Sequence, residues 1–264
     1  YTGEDTLSLH DALPICPATT ELILALGGEQ SLVATDVSSP EPRGVPKVGY
    51  HRALAAEGIL SLSPTLVVGS DEMGPNSTLD QLRRANVKVE VMATAPTLAN
   101  LNERIDTLAH LLGDQTAGSK LKEEIAAQSD TLAAQAKQNK PLKVAFLLLH
   151  KGQPTSIAGG NTTASALVTL AGGVNPVAGL HDYKPVSTES LIELQPDLVL
   201  VSGRDWQQYQ DPASVLGQVP ALEATPAGKR GAIHAIDGHA LQGGLSLRSL
   251  QQANQIAQWI KQGS

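Results

Sequence analysis

The feature that most constrains the fold is a short helix-then-strand pattern that occurs twice along the chain. Residues 57–68 (EGILSLSPTLVV) align with residues 189–200 (ESLIELQPDLVL) without a gap, at a constant offset of 132 residues from Glu57 to Glu189. The first glutamate, the proline and the apolar positions coincide. Residues 19–28 and 162–173 form a second related pair in the same order. Two related blocks in one order indicate two homologous lobes.

The composition limits the class of protein. A chain of 264 residues is long enough for two lobes of ordinary size. Its formal charge of -7 and pI near 5.5 argue against nucleic acid as a partner, because such a partner requires a basic surface. No apolar run approaches the roughly 20 residues that span a bilayer. The single cysteine, Cys16, excludes an intrachain disulfide and leaves the compartment open.

The first fifteen residues (YTGEDTLSLHDALPI) differ in character from the rest of the chain. They contain no basic region followed by a sustained apolar segment, so this sequence does not include a recognisable signal peptide. We expect residues 1–15 to be a non-native segment that replaces the true start, and we expect the N-terminal lobe to begin at residue 16.

Short apolar strands alternate with helices in both halves of the chain. Residues 66–69 and 87–91 are predicted strands in the first half, and residues 77–85 are a predicted helix. Residues 142–149 (LKVAFLLL) form a buried strand in the second half. The alternation predicts an α/β fold, with mainly parallel sheets that are flanked by helices.

A helical region separates the two halves. Apolar residues recur every three or four positions from 98 to 112, and residues 115–139 are rich in good helix formers. A single helix of that length is a stiff strut of roughly 35 Å. We therefore predict an N-terminal lobe over residues 16–113, a linker helix over 114–140 and a C-terminal lobe over 141–264.

The run from Val48 to Leu62 (VGYHRALAAEGILSL) resembles the signature V/I-G-Y-x-R/K-x-L-x-x-E-G-I-L-S-L of the periplasmic haem-binding proteins of bacterial haem-uptake systems. These are helical-backbone substrate-binding proteins of ABC importers. The similarity continues through residues 158–164 and 183–189, and covers the chain from about Cys16 onward. It implies a ligand cleft between the lobes and ferric haem as the ligand. The expected first strand is missing, and residues 243–248 match the family's Gly-x-Gly-Pro-Arg loop only loosely.

The resemblance implies that Tyr50 is the axial ligand of the haem iron. Ferric iron is a hard Lewis acid and a phenolate is a hard ligand. Because a tyrosine has a pKa of about 10, the iron must help to remove its proton at neutral pH. The resemblance also implies that Arg52 favours the phenolate, and Lys47 is a candidate to attract a haem propionate. A solvated surface position is the alternative for both cations.

Two histidines of the second half are further candidates. Some relatives that stack two haems have a histidine one position from His181, so the resemblance implies a second axial ligand there. His150 ends a predicted strand, and strand carboxyl ends are where ligands bind in open α/β sheets. A polar loop residue is the alternative for each. His51 is not predicted to be a ligand, because consecutive side chains tend to diverge.

Glu57 and Glu189 begin the equivalent helix of each lobe. Carboxylates are stabilised at helix N-termini, so helix capping alone explains them. The resemblance implies that they also dock onto arginines of the permease dimer in the inner membrane.

The sequence contains no catalytic constellation, since no base is paired with Ser187 or Ser190 and the glycine pair at 159–160 lacks the following residues of a P-loop. We predict a monomeric periplasmic binding protein, not an enzyme, that carries ferric haem to an ABC importer. A ferric-siderophore or cobalamin binder is the alternative within the superfamily. An enzyme on a two-lobed α/β scaffold is the alternative from another class.

Overall fold

The computed structural model describes residues 11–40, 44–150, 152–202 and 206–263. The chain divides into two compact units. The first unit contains the chain up to Ala126 together with Gln242–Leu247, and the second contains Ala127–Leu241 together with the chain from Arg248 onward. The segment Gln242–Leu247 therefore returns to the first unit, which the sequence did not predict.

The first unit is built on a parallel sheet of three strands in the order β1-β2-β3. The strands are β1 (Ala12–Ile15), β2 (Leu66–Ser70) and β3 (Lys88–Met92). The helices that begin in this unit are α1 (Pro17–Ala25), α2 (Ala56–Leu60), α3 (Asn76–Arg84), α4 (Leu98–Leu112) and α5 (Gln115–Gln138). Every residue of β2 is buried, as expected for the central strand of a parallel sheet.

Strand β1 corrects the prediction that the first strand is missing. All four of its residues are buried, and Ala12–Ile15 pairs in register with Leu66–Gly69 of β2. Pro14 is tolerated because β1 lies at the edge of this sheet, where a missing amide does little harm. The first unit therefore begins before residue 16. The non-native origin of residues 1–15 stays a prediction, and residues 1–10 lie outside the described part of the chain.

The second unit contains a five-stranded sheet in the order β6-β5-β4-β7-β8. Its strands are β4 (Val144–Leu148), β5 (Ser156–Ala158), β6 (Tyr183–Pro185), β7 (Leu198–Ser202) and β8 (Ile233–Ala235). Strands β4, β7 and β8 are parallel, whereas β5 and β6 are antiparallel additions at one side. The remaining helices are α6 (Thr163–Leu170), α7 (Thr188–Leu194), α8 (Pro212–Gln218), α9 (Pro226–Arg230) and α10 (Leu247–Gly263).

The repeat found in the sequence is a repeat in the structure. Ala12 pairs with Leu66 in the first sheet, and Val144 pairs with Leu198 in the second. Each residue of the second pair lies 132 positions after its counterpart in the first pair, which is the offset of the sequence repeat. Helices α2 and α7 precede the strands β2 and β7, and each carries a glutamate in its first turn. The two units therefore share the same central βα arrangement.

Helix α5 confirms the predicted long helix between the halves. Helix α4 ends at Gly113, which has a left-handed φ of 73°. The Asp114 carboxylate then accepts a hydrogen bond from the Ala117 amide at 2.8 Å, so it caps the next helix. Helix α5 has 24 residues, which corresponds to about 36 Å. Within the described ranges, no helix combines the length and the apolar character that crossing a membrane requires.

The returning segment is fixed inside the first unit by a buried arginine of α4. The Arg104 guanidinium donates to the Gly243 carbonyl at 2.7 Å and to the Leu245 carbonyl. Burial lowers the pKa of this guanidinium from its usual value. Gly243 has a left-handed φ of 79°, and a Cβ there would lie 2.5 Å from the Cys16 sulfur. Glycine is therefore required where the segment passes the start of α1.

Candidate ligand-binding site

Tyr50 lies on a loop whose backbone is held by neighbouring segments. The Val37 amide donates to the Gly49 carbonyl at 2.9 Å, and the Gly74 amide donates to the His51 carbonyl at 2.9 Å. Gly49 has a φ of 102°, which favours glycine at this position. Tyr50 is nevertheless 44% exposed. The loop thus presents an accessible phenol on a fixed backbone.

His51 is buried next to the exposed Tyr50. The two ring centroids are 4.2 Å apart, with the planes tilted by 50°. The His51 Nδ1 atom lies 3.4 Å from the Ser38 hydroxyl and 3.8 Å from a carboxylate oxygen of Asp36. The expected divergence of consecutive side chains did not predict this ring contact. Because His51 is only 1% exposed, it is not presented to a ligand as Tyr50 is.

Asp36 is a fully buried carboxylate that links the Tyr50 loop to the start of α1. It accepts hydrogen bonds from the Cys16 amide at 2.9 Å, from the Ser38 amide at 3.1 Å and from the hydroxyls of Ser38 and Ser39. Burial raises the pKa of the Asp36 carboxyl, but its interactions with His51, Ser38, Ser39 and Cys16 outweigh this effect. The pKa therefore lies below its usual value, and the carboxylate is charged at neutral pH.

Arg52 and Lys47 belong to the same loop, and each has a partner there. The Arg52 guanidinium lies 2.5 Å from a carboxylate oxygen of Glu72, in a largely solvent-accessible pair. The Lys47 ammonium donates to the Thr35 hydroxyl at 3.0 Å and to the Ser39 carbonyl at 2.7 Å. The structure thus places both cations on the loop of Tyr50, but with protein partners. Their roles toward phenolate and propionate stay predictions.

His181 lies in the second unit, on an exposed loop between α6 and β6. The amides of Gly159 and Gly160 donate to the carbonyls of Asp182 and Leu180, at 2.9 and 2.8 Å, so a pair of glycines supports this loop. A Cβ on Gly160 would lie 2.1 Å from the Ala178 carbonyl oxygen, which excludes any larger residue. The glycine pair that lacks a P-loop pattern therefore serves to shape the loop of His181.

His150 also lies in the second unit, two residues after β4 ends at Leu148. It is partly buried and leaves the sheet at the carboxyl end of a central parallel strand. This location agrees with the strand end predicted from the sequence. Ligation by either histidine stays a prediction.

Glu57 and Glu189 occupy the first turns of α2 and α7, and both are exposed. The Glu189 backbone amide and the Ser187 hydroxyl hydrogen-bond to the Glu189 carboxylate and lower its pKa. The Ser187 hydroxyl also accepts from the Ser190 amide at 3.1 Å and so caps α7. In α2, by contrast, the N-cap residue Ala55 makes no side-chain cap. Ser187 therefore supplies the cap of α7, the Glu189 carboxylate interacts with its own backbone amide in the first turn, and docking remains a prediction for both glutamates.

Sequence reasoning missed the buried carboxylate Asp36, although a local signal was present. An aspartate followed by serines at the second and third positions is typical of a turn in which the carboxylate accepts nearby hydrogen bonds. It also missed Asp237, which accepts from Arg248 at 2.9 Å and contacts the His239 Nδ1 atom at 2.8 Å.

Across the described ranges, no group of three or more His, Cys, Asp or Glu side chains is arranged for a bare metal ion.

Two α/β units with a common central topology, a long helix between their sequences and an accessible phenol on a fixed loop define the class of two-domain solute-binding proteins. The family model described as periplasmic binding protein matches residues 15–240. The chain therefore belongs to the periplasmic binding protein family. Membership of this family confirms the predictions of an α/β fold and of a binding protein rather than an enzyme.

The proteins to which this chain is similar include heme-binding proteins among the solved structures and vitamin B12-binding proteins among the curated relatives. The chain is similar to the periplasmic heme binding protein HutB of Vibrio cholerae, with 47% identity, a TM-score of 0.88 and coverage of 94% of this chain and 98% of that chain. It is similar to the periplasmic heme-binding protein RhuT from Roseiflexus sp. RS-1, with 32% identity, a TM-score of 0.88 and coverage of 96% and 98%. A curated relative, the vitamin B12-binding protein of Vibrio cholerae serotype O1, is 27% identical over 224 residues and 80% of each chain.

Proposed function

We propose that this protein binds ferric haem through Tyr50 in the periplasm and delivers it, as a monomer, to the permease of an ABC importer. The observation that carries the proposal is the accessible phenol of Tyr50 on a loop with a fixed backbone. The similarity to the heme-binding HutB, at 47% identity, supports haem as the ligand. So does the similarity to BhuT, which was solved in complex with two hemes and is 30% identical.

The chemistry of the loop suits ferric iron. Iron binding stabilises the phenolate of Tyr50 and thereby removes its proton at neutral pH. The loop is held by backbone hydrogen bonds and by the turn at Gly49, so little ordering remains to be done when the ligand binds. This pre-organisation favours an axial bond from one defined direction.

In this proposal, Arg52 gives up part of its contact with Glu72 and interacts with the phenolate of Tyr50 instead. Exposed ion pairs are screened by water and contribute little free energy, so the exchange is easily reversible. Lys47 attracts a haem propionate from the same loop. Its ammonium has three donors, and two of them are used by Thr35 and Ser39.

His181 and His150 are the proposed sources of a further contact to haem from the second unit. His181 is the more exposed of the two, and His150 lies at a strand end. A neutral imidazole on either is a suitable axial ligand for haem iron.

Glu57 and Glu189 form the proposed docking pair for the permease. Each is exposed in the first turn of an equivalent helix, so the two units present one carboxylate each in the same structural context. Carboxylates pair well with arginine through two parallel hydrogen bonds. This duplication matches a permease that consists of two subunits.

Cobalamin is the second candidate ligand, because the curated relatives at 27% and 28% identity are vitamin B12-binding proteins. Parallel titrations of the purified protein with hemin, followed by visible absorption and calorimetry, and with cyanocobalamin, followed by calorimetry, decide between the two. The proposal predicts a saturable spectral change and saturable heat with hemin at one or two equivalents, and no saturable heat with cyanocobalamin. Saturable binding of cyanocobalamin with no response to hemin refutes it.

A further inference from the structure

The burial of His51 distinguishes it from the exposed Tyr50 that precedes it. Its ring is almost completely buried, yet it lies 4.2 Å from the exposed Tyr50 ring. Tilted aromatic pairs at this separation attract each other beyond the effect of burial alone. His51 therefore gives one face of the Tyr50 ring a fixed neighbour.

Two polar groups limit the orientation of His51 in turn. Its Nδ1 atom faces the Ser38 hydroxyl at 3.4 Å and the Asp36 carboxylate at 3.8 Å. Asp36 is itself fixed, because it accepts a hydrogen bond from the Cys16 amide at the start of α1. The backbone of His51 is also anchored, through the hydrogen bond between its carbonyl and the Gly74 amide. His51 is thus held on its side-chain and its backbone atoms.

We propose that His51 is a positioning residue for Tyr50: it packs against the Tyr50 ring and restricts it to the orientation that binds haem iron, while Ser38 and Asp36 keep the His51 ring in place. This inference rests on the proposed function, in which Tyr50 is the iron ligand.

The physical reason is conformational. An exposed tyrosine side chain samples several rotamers, and fixing one of them upon binding reduces the affinity. A ring that already has a packed neighbour has fewer rotamers to lose. The angle at which the phenolate oxygen meets the iron also depends on the ring orientation, so the phenolate-to-iron absorption band reports on it directly.

The test compares two substitutions that separate the packing of the His51 ring from the polar contacts of its Nδ1 atom. His51→Asn keeps a polar group near the position of Nδ1 but removes the ring, and His51→Phe keeps a ring without the polar atoms. We expect His51→Asn to weaken hemin binding by about tenfold and to shift the ferric-tyrosinate band. We expect His51→Phe, which keeps the ring but loses the contacts with Ser38 and Asp36, to show a smaller loss of affinity and a smaller band shift than His51→Asn. Thermal unfolding of both variants checks whether the fold is retained.

A double-mutant cycle with Tyr50→Phe separates positioning from a general structural effect. If His51 acts through the Tyr50 phenolate, adding His51→Asn to Tyr50→Phe causes no further loss of affinity. An equal loss in both backgrounds overturns the proposal, and so does a His51→Asn variant with wild-type affinity and spectrum. If the wild-type protein shows no ferric-tyrosinate band, both the proposed function and this inference are refuted. If the wild-type protein shows the band and His51→Asn leaves its position and the affinity unchanged, only this inference is refuted.

Discussion

Arg52 contacts Glu72 at 2.5 Å, so the cation that the sequence associates with Tyr50 is paired with a carboxylate on a neighbouring segment. Glu72 therefore competes with a bound phenolate or propionate for the same guanidinium. The strength of this competition is open to a direct test, because Glu72 is itself partly exposed and its removal leaves the core intact.

Glu72→Gln is expected to raise the affinity for hemin. The substitution removes the competing charge, and an exposed ion pair contributes up to about 1 kcal/mol, which corresponds to roughly a fivefold change. Hemin titration of both proteins at low ionic strength measures the difference. Asp80→Asn is the matched control, because it releases the exposed Arg83 on helix α3 in the same way. Unchanged or weaker binding in Glu72→Gln contradicts the proposed role of Arg52.

Arg104→Met is expected to destabilise the protein by about 2–4 kcal/mol, because it leaves two buried carbonyl groups without their donor. The free energy of unfolding from urea denaturation is the appropriate measurement. Arg83→Met provides the comparison, since Arg83 is exposed and pairs only with a neighbour on its own helix. We expect less than about 0.5 kcal/mol for that control. Similar values for the two variants contradict the role of Arg104 in fixing the returning segment.

Asp36 is expected to make the stability depend on pH in the acid range. Its pKa is lower in the folded protein than in the unfolded chain, so its contribution is fully present above the unfolded value of about 4 and is lost as the pH falls through the folded value. Asp36→Asn should therefore be less stable than the wild type at pH 7, and the difference should narrow below about pH 4. Urea unfolding at several pH values tests this. A difference that stays constant from pH 7 to pH 3 contradicts the charged state of Asp36.

Glu57→Lys combined with Glu189→Lys is expected to abolish haem transport while hemin binding is retained, since both side chains are exposed and lie at helix starts. Uptake of hemin by cells or vesicles that contain the cognate permease measures transport. Because a lysine is unfavourable at a helix N-terminus, the milder double Gln variant is measured in parallel. The double variant Glu123→Lys and Glu124→Lys, on the exposed face of α5, is the charge-matched control. Normal uptake by the Glu57 and Glu189 variants rules out the docking role.

Features that depend on local periodicity were predictable from the sequence. The offset of 132 residues between Glu57 and Glu189 reappears in the pairing of β1 with β2 and of β4 with β7. Helix α5 (Gln115–Gln138) lies within two residues of the predicted linker helix 114–140 at each end, because Asp114 and the run of helix formers are local signals. The local signature around Tyr50 supported the predicted family resemblance, and the family model that matches residues 15–240 confirms membership of the periplasmic binding protein family.

Features that depend on contacts between distant residues were not predictable. The strand Ala12–Ile15 was missed because residues 1–15 were expected to be a non-native segment, and its pairing with β2 reveals it. The group formed by Cys16, Asp36 and His51 joins three separate segments, and no sequence spacing indicates that they meet. The return of Gln242–Leu247 to the first unit likewise depends on a buried arginine far away in the chain.

The visible spectrum of the hemin complex of Tyr50→Phe tests the central proposal most directly. The substitution removes a single hydroxyl from an exposed ring, so the fold is expected to remain. Tyr209→Phe is the matched control, because it removes the hydroxyl of a buried tyrosine that hydrogen-bonds to Gln218. The proposal predicts a ferric-tyrosinate spectrum in the wild type and in Tyr209→Phe, and its loss in Tyr50→Phe. An unchanged spectrum in Tyr50→Phe would contradict the assignment of Tyr50 as the iron ligand.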